Sequence, residues 1–127
     1  LREILDADGI LQLRQWVREV PLADVVKDYA VRLIMNTHAQ QEKNGGESLA
    51  QRYVMYGSSP RGLQSVILAA KARALFAGRP NVSFEDIRAM LLPSLRHRLI
   101  LNLEADADGV SSENILAELT TRVAEVA

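Results

Sequence analysis

Three residues in the middle of the chain, Ser59-Pro60-Arg61, have the types and spacing to meet an anion. They stand directly before an apolar, alanine-rich run that reads as a helix. Pro60 suits the first helical position, because its missing N–H would be unpaired there anyway. Ser58 or Ser59 can cap the same helix. Arg61 then falls in the first turn, where an exposed cation opposes the macrodipole at a cost of about 0.3–1 kcal/mol. Free N–H groups at a helix start attract anions, and the arginine fork matches phosphate oxygens. Together they converge on phosphate. The competing reading is an arginine whose stem leaves the helix to pair with an acid elsewhere, and the residues alone leave both open.

Other chemistry-bearing clusters lead nowhere as firm. In "EADADG", Glu104, Asp106 and Asp108 would fill alternate ligand positions of a calcium loop, but Ile115 stands where a bidentate Glu is required. In "ILDADG" the first position is Ile4 and the twelfth Gln15. Both read as loops before helices, with Asp serving caps and the dipole. His38 and His97 are far apart, there is no cysteine, and His97 sits between Arg96 and Arg98. No metal site is expected, because the spacing of a zinc-binding helix is absent. No phosphate loop, nucleophile elbow or Ser-His-Asp pattern is present, so self-contained catalysis is not expected.

The elements that must position Arg61 are helices. The chain has 127 residues, 48% of them apolar, enough for one domain with its own core. Ile10, Leu13, Val17 and Val20 recur at helical spacing behind Asp6 or Asp8, predicting a helix near 8–20. Pro21 separates it from a second near 22–39. Asn44-Gly45-Gly46 marks a loop over 40–47, and 48–56 fits either a short helix or an extended connection. The helix behind Ser59 runs near 59–77, with Leu63, Val66, Ile67 and Ala70 inward, Arg73 exposed and Gly78 a left-handed cap. Ser83 to Asp86 has capping-box spacing and opens a fourth helix, which should stop near Leu92 because Pro93 follows. "LRHRLIL" is a last turn or a short strand-like piece. A fifth helix near 112–125 carries Leu116 and Leu119 inward. The pattern predicts an all-α compact bundle of about five helices, with 1–127 as one domain.

Charge is unevenly spread. Residues 58–102 carry 7 basic and 2 acidic side chains, and residues 103–127 carry 1 basic and 6 acidic. Either the two segments neutralise each other or the basic one meets an anionic partner. No apolar run approaches the roughly 20 residues of a membrane span. No signal peptide is visible, and the lack of cysteine is compatible with a reducing cytoplasm, the expected compartment. The start at Leu1 without Met fits a piece of a longer protein.

The ordered motifs also resemble a known family. Gly57, Ser59-Pro60-Arg61, Ala69-Ala70 through Gly78-Arg79, Val82-Ser83 with Asp86, and Leu95-Arg96-His97-Arg98-Leu99 are similar to the C-terminal part of MoxR-family AAA+ ATPases. "EADADGVSSENIL" resembles the acidic step into that family's last helix, and the segment before His38 resembles the upstream part more loosely. The resemblance implies an AAA+ lid, with Arg61 as the sensor 2 arginine that approaches the γ-phosphate of ATP, and Ser59 and Pro60 beside it. It implies ATP with Mg²⁺ in the full-length protein, but none bound by the isolated fragment, since the α/β ATPase core is absent from these residues. It implies that core as partner, neighbouring subunits of a hexameric ring, a von Willebrand factor A-type protein, and chaperone-like maturation of client complexes. Gly62 departs from the small alanine usual after the arginine, which would weaken the helix start slightly. Two rivals stand beside this reading. A nucleic-acid-binding module would use the basic segment, against which stand its two aromatics, Phe76 and Phe84, and the acidic segment that follows. A ligand-free interaction bundle would have no use for Arg61.

Overall fold

The computed structural model describes residues 1–38 and 47–127. Among these, seven helices and two short strands follow one another. They are α1 (Ala7–Glu19), α2 (Asp24–Met35), α3 (Leu49–Tyr53), β1 (Val54–Tyr56), α4 (Pro60–Phe76), α5 (Phe84–Leu95), β2 (Ile100–Leu101), α6 (Leu103–Asp108) and α7 (Ser112–Arg122). The all-α bundle is present, with each of the five expected helices in place. The expected loop lies outside the described residues except for Glu47.

Short polar side chains begin most of these helices, as the orphan N–H groups of a first turn require. The Asp6 carboxylate accepts from the Gly9 N–H at 2.7 Å. Ser48 with Gln51, Ser83 with Asp86, and Ser111 with Asn114 form reciprocal capping boxes. Gly78, at φ 70°, closes α4 with the Gly78 N–H on the Leu75 carbonyl and the Arg79 N–H on that of Ala74. That is the paired bonding of a Schellman cap, and it needs the left-handed geometry glycine adopts freely.

The core lies between α2, α4 and α5. Tyr29, Leu33, Val66, Ala70, Ala74, Ile87, Leu91 and Leu95 are all buried there. The alanines on the inner face of α4 let its neighbours approach, and α5 covers α4 most extensively, antiparallel to it. Phe84 meets the Tyr29 ring edge to face with centroids 5.4 Å apart. Ile115, Leu116 and Leu119 of α7 extend the core toward α3 and α5. Leu63 and Ile67, expected inside, are half-buried at its margin. α1 buries no residue of its own, and its stripe only leans on α4.

Three local expectations change. α5 continues through Pro93 to Leu95, although Pro93 cannot donate to the carbonyl of Ala89. Leu95 is fully buried, and its burial on α4 outweighs one lost bond near the helix end. "EADADG" is not a loop: residues 103–108 form α6, capped by the Asn102 side chain and closed by Gly109 at φ 69°. Residues 48–56 hold both alternatives, a short helix and then a strand. That strand, β1, pairs antiparallel with β2 across an irregular register, Val54 opposite Leu101 and Tyr56 opposite Ile100.

The charged centre of the fold is Asp86, whose side chain is fully buried. Arg73 Nη1 donates to Oδ1 at 2.6 Å, and Arg79 donates to both oxygens at 2.5 Å. The Ser83 N–H and hydroxyl both donate to Oδ2 at 2.9 Å. Arg73 is therefore not the free surface arginine expected from its place in the sequence. The Arg79 bonds above all hold the Asp86 carboxyl well below the usual carboxylate range, against the pull of burial. A carboxylate so depressed adds stability above about pH 4, and that stability is lost as pH falls further. Asp86→Ala should cost about 3 kcal/mol in urea unfolding, because it strands two arginines over a buried void. The gap between wild type and Asp86→Asn should narrow as pH is lowered from about 4 toward 2. A gap unchanged over that range contradicts the assignment.

Candidate functional site

Arg61 is the second residue of α4 and is exposed. Among the described residues its side chain makes no hydrogen bond or ion pair. Ser59 occupies the N-cap position, yet its side chain makes no capping bond. The Gly62 and Leu63 N–H groups turn back to the Ser59 carbonyl at 2.8 and 3.4 Å. Among the described residues the start of α4 is thus, with that of α2, a long-helix start without a side-chain cap, and it carries an arginine with no partner there.

What holds that start in place is the loop before it. Gly57 lies so close to α2's end that a Cβ there would stand 2.7 Å from the Thr37 carbonyl oxygen. The buried Ser58 N–H donates to Thr37 Oγ1 at 2.9 Å, and Thr37 Oγ1 donates to the Ile34 carbonyl at 2.6 Å. His38 Nε2 lies 2.9 Å from the Ser58 carbonyl, an acceptor, so that nitrogen carries the hydrogen. On the other side, Ser58 Oγ fills the space where a Cβ on Gly62 would sit, 1.9 Å away, and Leu95 Cδ2 would be 3.0 Å from it. Gly62 is therefore not a mere weakening of the helix. Alanine cannot be placed there without displacing Ser58 and Leu95.

Two further residues bear on the turn of Arg61: Ser65, which the motif reading passed over, and Arg98, which it quoted without a role. Ser65, one turn on, donates from Oγ to the Arg61 carbonyl at 2.9 Å. Arg98 Nη2 donates to Ser65 Oγ at 3.2 Å, while its Nε donates to the Ser94 carbonyl at 3.1 Å. The spacing of 61 and 65 was a visible signal; the approach of Arg98 from the far end of α5 was not.

The remaining cations of the basic segment are mostly engaged internally. Arg73 and Arg79 hold Asp86, Arg88 bridges Glu85 and Glu125, and Arg96 reaches Glu113 at 2.7 Å. Lys71 donates to the Arg18 carbonyl. Glu113 and Glu125 belong to the acidic segment, so the two charge blocks do in part neutralise each other. His97 is exposed and next to the Arg96 pair.

The geometry can be set beside known proteins. Residues 46–119 match the AAA lid domain family. The chain belongs to that family. It is 30% identical over 97% of its length to Chaperone MoxR1 of Mycobacterium tuberculosis, and 28% identical over 97% to the uncharacterized protein YeaC of Bacillus subtilis. Protein MoxR of Paracoccus denitrificans is 43% identical over 42% of the chain. A crystal structure from Cytophaga hutchinsonii, of a protein proposed by its name to be an ATPase, superposes with TM-score 0.86 at 28% identity over 97% of this chain. The chain spans 32% of the first relative, 35% of the second and 37% of the solved chain, and its match to the third spans 16% of that protein. It is thus a MoxR-type AAA+ lid, and Arg61 falls inside the matched stretch. Among the described residues no helix is long and apolar enough to cross a membrane.

The fit of Gly62 against Ser58 gives a direct check on this loop. Gly62→Ala should destabilise the lid by about 1–3 kcal/mol, the usual range for overpacking, despite alanine's better helix propensity. Adding Ser58→Gly should recover part of the loss. A more stable Gly62→Ala in thermal unfolding contradicts the packing.

Proposed function

We propose that this lid presents Arg61 to the phosphates of an ATP held by an α/β core of the same protein, and so reports nucleotide state. The observation that carries it is an exposed arginine, without a partner among the described residues, on an uncapped helix start whose flanking loop is fixed on both sides. A phosphate oxygen would take the place that a cap side chain fills elsewhere, meeting the Arg61 N–H and the guanidinium together. The donor set thus fits an anion. It does not fit a metal: among the described residues no cluster of acids and histidines is close enough to hold one. Mg²⁺, which neutralises phosphate charge when bound, would be held by the core. Ser59 and Pro60 serve by shape: Pro60 fixes the first turn and leaves no N–H of its own, and Ser59 makes no capping bond that a phosphate would have to displace.

Arg61 can favour hydrolysis only by meeting charge that grows as the phosphoryl group transfers. A guanidinium already aimed by a fixed turn needs little reorganisation to do so. The same contact would draw the lid toward the core when ATP is present and release it after hydrolysis. In a ring, of hexamer size on the family resemblance, that motion would pass to neighbouring subunits in the cytoplasm and drive chaperone-like remodelling of clients. A von Willebrand factor A-type protein is the partner class the resemblance offers. "Chaperone" in the name of the Mycobacterium tuberculosis relative agrees with this. The nucleic-acid reading is less favoured, because most of the basic segment's arginines are already paired with the protein's own acids.

In the assembled full-length protein, Arg61→Ala should lower steady-state ATP turnover about 10²-fold, the scale of losing one transition-state donor. Arg61→Lys should recover part, since a point charge cannot reproduce the fork. Lys27→Ala, which removes only an exposed pair with Asp24 on α2, is the charge control and should turn over like wild type. Wild-type turnover in Arg61→Ala leaves the bare interaction bundle as the better account.

The isolated lid itself should release no phosphate from ATP above background, because it lacks a phosphate loop. Release that survives removal of contaminating ATPases contradicts this division of labour.

A further inference from the structure

We infer that Arg98 is a positioning residue for Arg61, acting through Ser65. The inference rests on the reading of Arg61 just given and extends it to the far end of α5. Three bonds carry it. Arg98 Nε donates to the Ser94 carbonyl at 3.1 Å, Arg98 Nη2 donates to Ser65 Oγ at 3.2 Å, and Ser65 Oγ donates to the Arg61 carbonyl at 2.9 Å.

The direction of the chain follows from donor and acceptor capacity. Arginine can only donate, so Ser65 Oγ must accept from it. The single hydroxyl hydrogen is then left for the Arg61 carbonyl. Without Arg98 that hydroxyl is free to turn elsewhere, and serine bonds of this back-reaching kind are weak when nothing fixes the rotor. With Arg98 in place each bond polarises the next. The peptide that follows Arg61 is thereby tied to α5 by a side chain rooted 37 positions away.

A simpler role for Arg98 accounts for only half of this. A cation at a helix C-terminus favours the dipole and satisfies a last carbonyl, which explains the bond to Ser94. It does not require the other arm of the fork to reach into the first turns of α4. Arg98 is also half-buried, and among the described residues no carboxylate pairs with it, unlike Arg73, Arg79, Arg88 and Arg96. Its polar contacts are those to Ser94 and Ser65. Lysine would keep the charge at the end of α5 but could not hold both acceptors in the plane of one fork.

The test uses the full-length protein and two measurements. The first is hydrogen exchange over the start of α4, where the Ser65 amide donates to the same Arg61 carbonyl by helix geometry. Arg98→Ala and Ser65→Ala should both speed exchange there, and Arg98→Lys should not restore protection. The second is turnover. Arg98→Ala and Ser65→Ala should each lower kcat about 10-fold to 10²-fold, the scale of small misplacements of a reacting group, with smaller changes in KM. In an Arg61→Ala background Arg98→Ala should add no further loss, because both act through one guanidinium. Unchanged exchange in Arg98→Ala overturns the inference. So does a further loss in the Arg61→Ala background, which would mean that Arg98 acts on its own. If Arg61→Ala alone turns over like wild type, it is the reading of Arg61 that fails. The exchange result then still decides whether Arg98 holds the turn.

Discussion

A buried negative charge is costly unless it is fully bonded, and Asp86 shows what full bonding demands of the surrounding chain. Its two oxygens accept from Arg73, Arg79 and Ser83, which lie on α4, on the loop after it and at the cap of α5. None of these can move without stranding the carboxylate. Gly78 has to turn left-handed so that Arg79 leaves the helix in the right direction. Ser83 has to sit at the cap so that its N–H and hydroxyl face Oδ2. The turn between α4 and α5 is thus specified by one acid, and the crossing of α4 on α5 follows from it. The same carboxylate completes the cap of its own helix, accepting from the Ser83 N–H while the Asp86 N–H donates to Ser83 Oγ at 3.2 Å.

How much of this is legible in the sequence depends on the range of the interaction. Ser83 and Asp86 are three apart, and their capping box was readable as local chemistry; so was Gly78 as a helix stop. The partners of Asp86 were not, because Arg73 and Asp86 are brought together only by the turn. Read alone, Arg73 looks like one more surface cation on a helix. Pro93 misleads for the opposite reason. Its local preference is real, but Leu91 and Leu95 bury themselves on α4 and carry the helix across it. The two-residue strand β2 has no periodicity to read, and it exists because β1 offers it a partner.

The site divides in the same way. Arg61 at a helix start, behind Pro60, was visible as a cation placed against the dipole, and the structure leaves it without a partner among the described residues. Gly62 was read as a slight weakness, since glycine costs helix stability relative to alanine. Its reason is non-local: the hydroxyl of Ser58 and the end of Leu95 occupy the space its side chain would need. Gly57 is required on the same grounds by the carbonyl of Thr37. Gly57 lets the loop approach the backbone of Thr37, and Gly62 lets the side chains of Ser58 and Leu95 close on the first turn of α4, and that closeness holds the arginine's turn still.

The two ends of α4 are therefore clamped to opposite ends of one partner helix. At its C-terminal end Arg73 and Arg79 grip Asp86 in the first turn of α5. At its N-terminal end Gly62 packs on Leu95, and Ser65 receives Arg98 from just beyond α5. A helix of 17 residues is about 25 Å long, so these clamps are well separated, and a pair held at both ends resists tilting and sliding better than one held at its middle. This bears on what a contact at Arg61 can do. Were the first turn of α4 loosely attached, a pull on its arginine would fray that turn and go no further. With Ser58, Gly62 and Ser65 all tied to neighbouring elements, the pull has to move α4 and α5 together. α7 packs on α5, so it must follow. A lid that is to convert the presence of a phosphate into the movement of a whole domain needs this arrangement: the arginine itself free, and everything within one turn of it fastened.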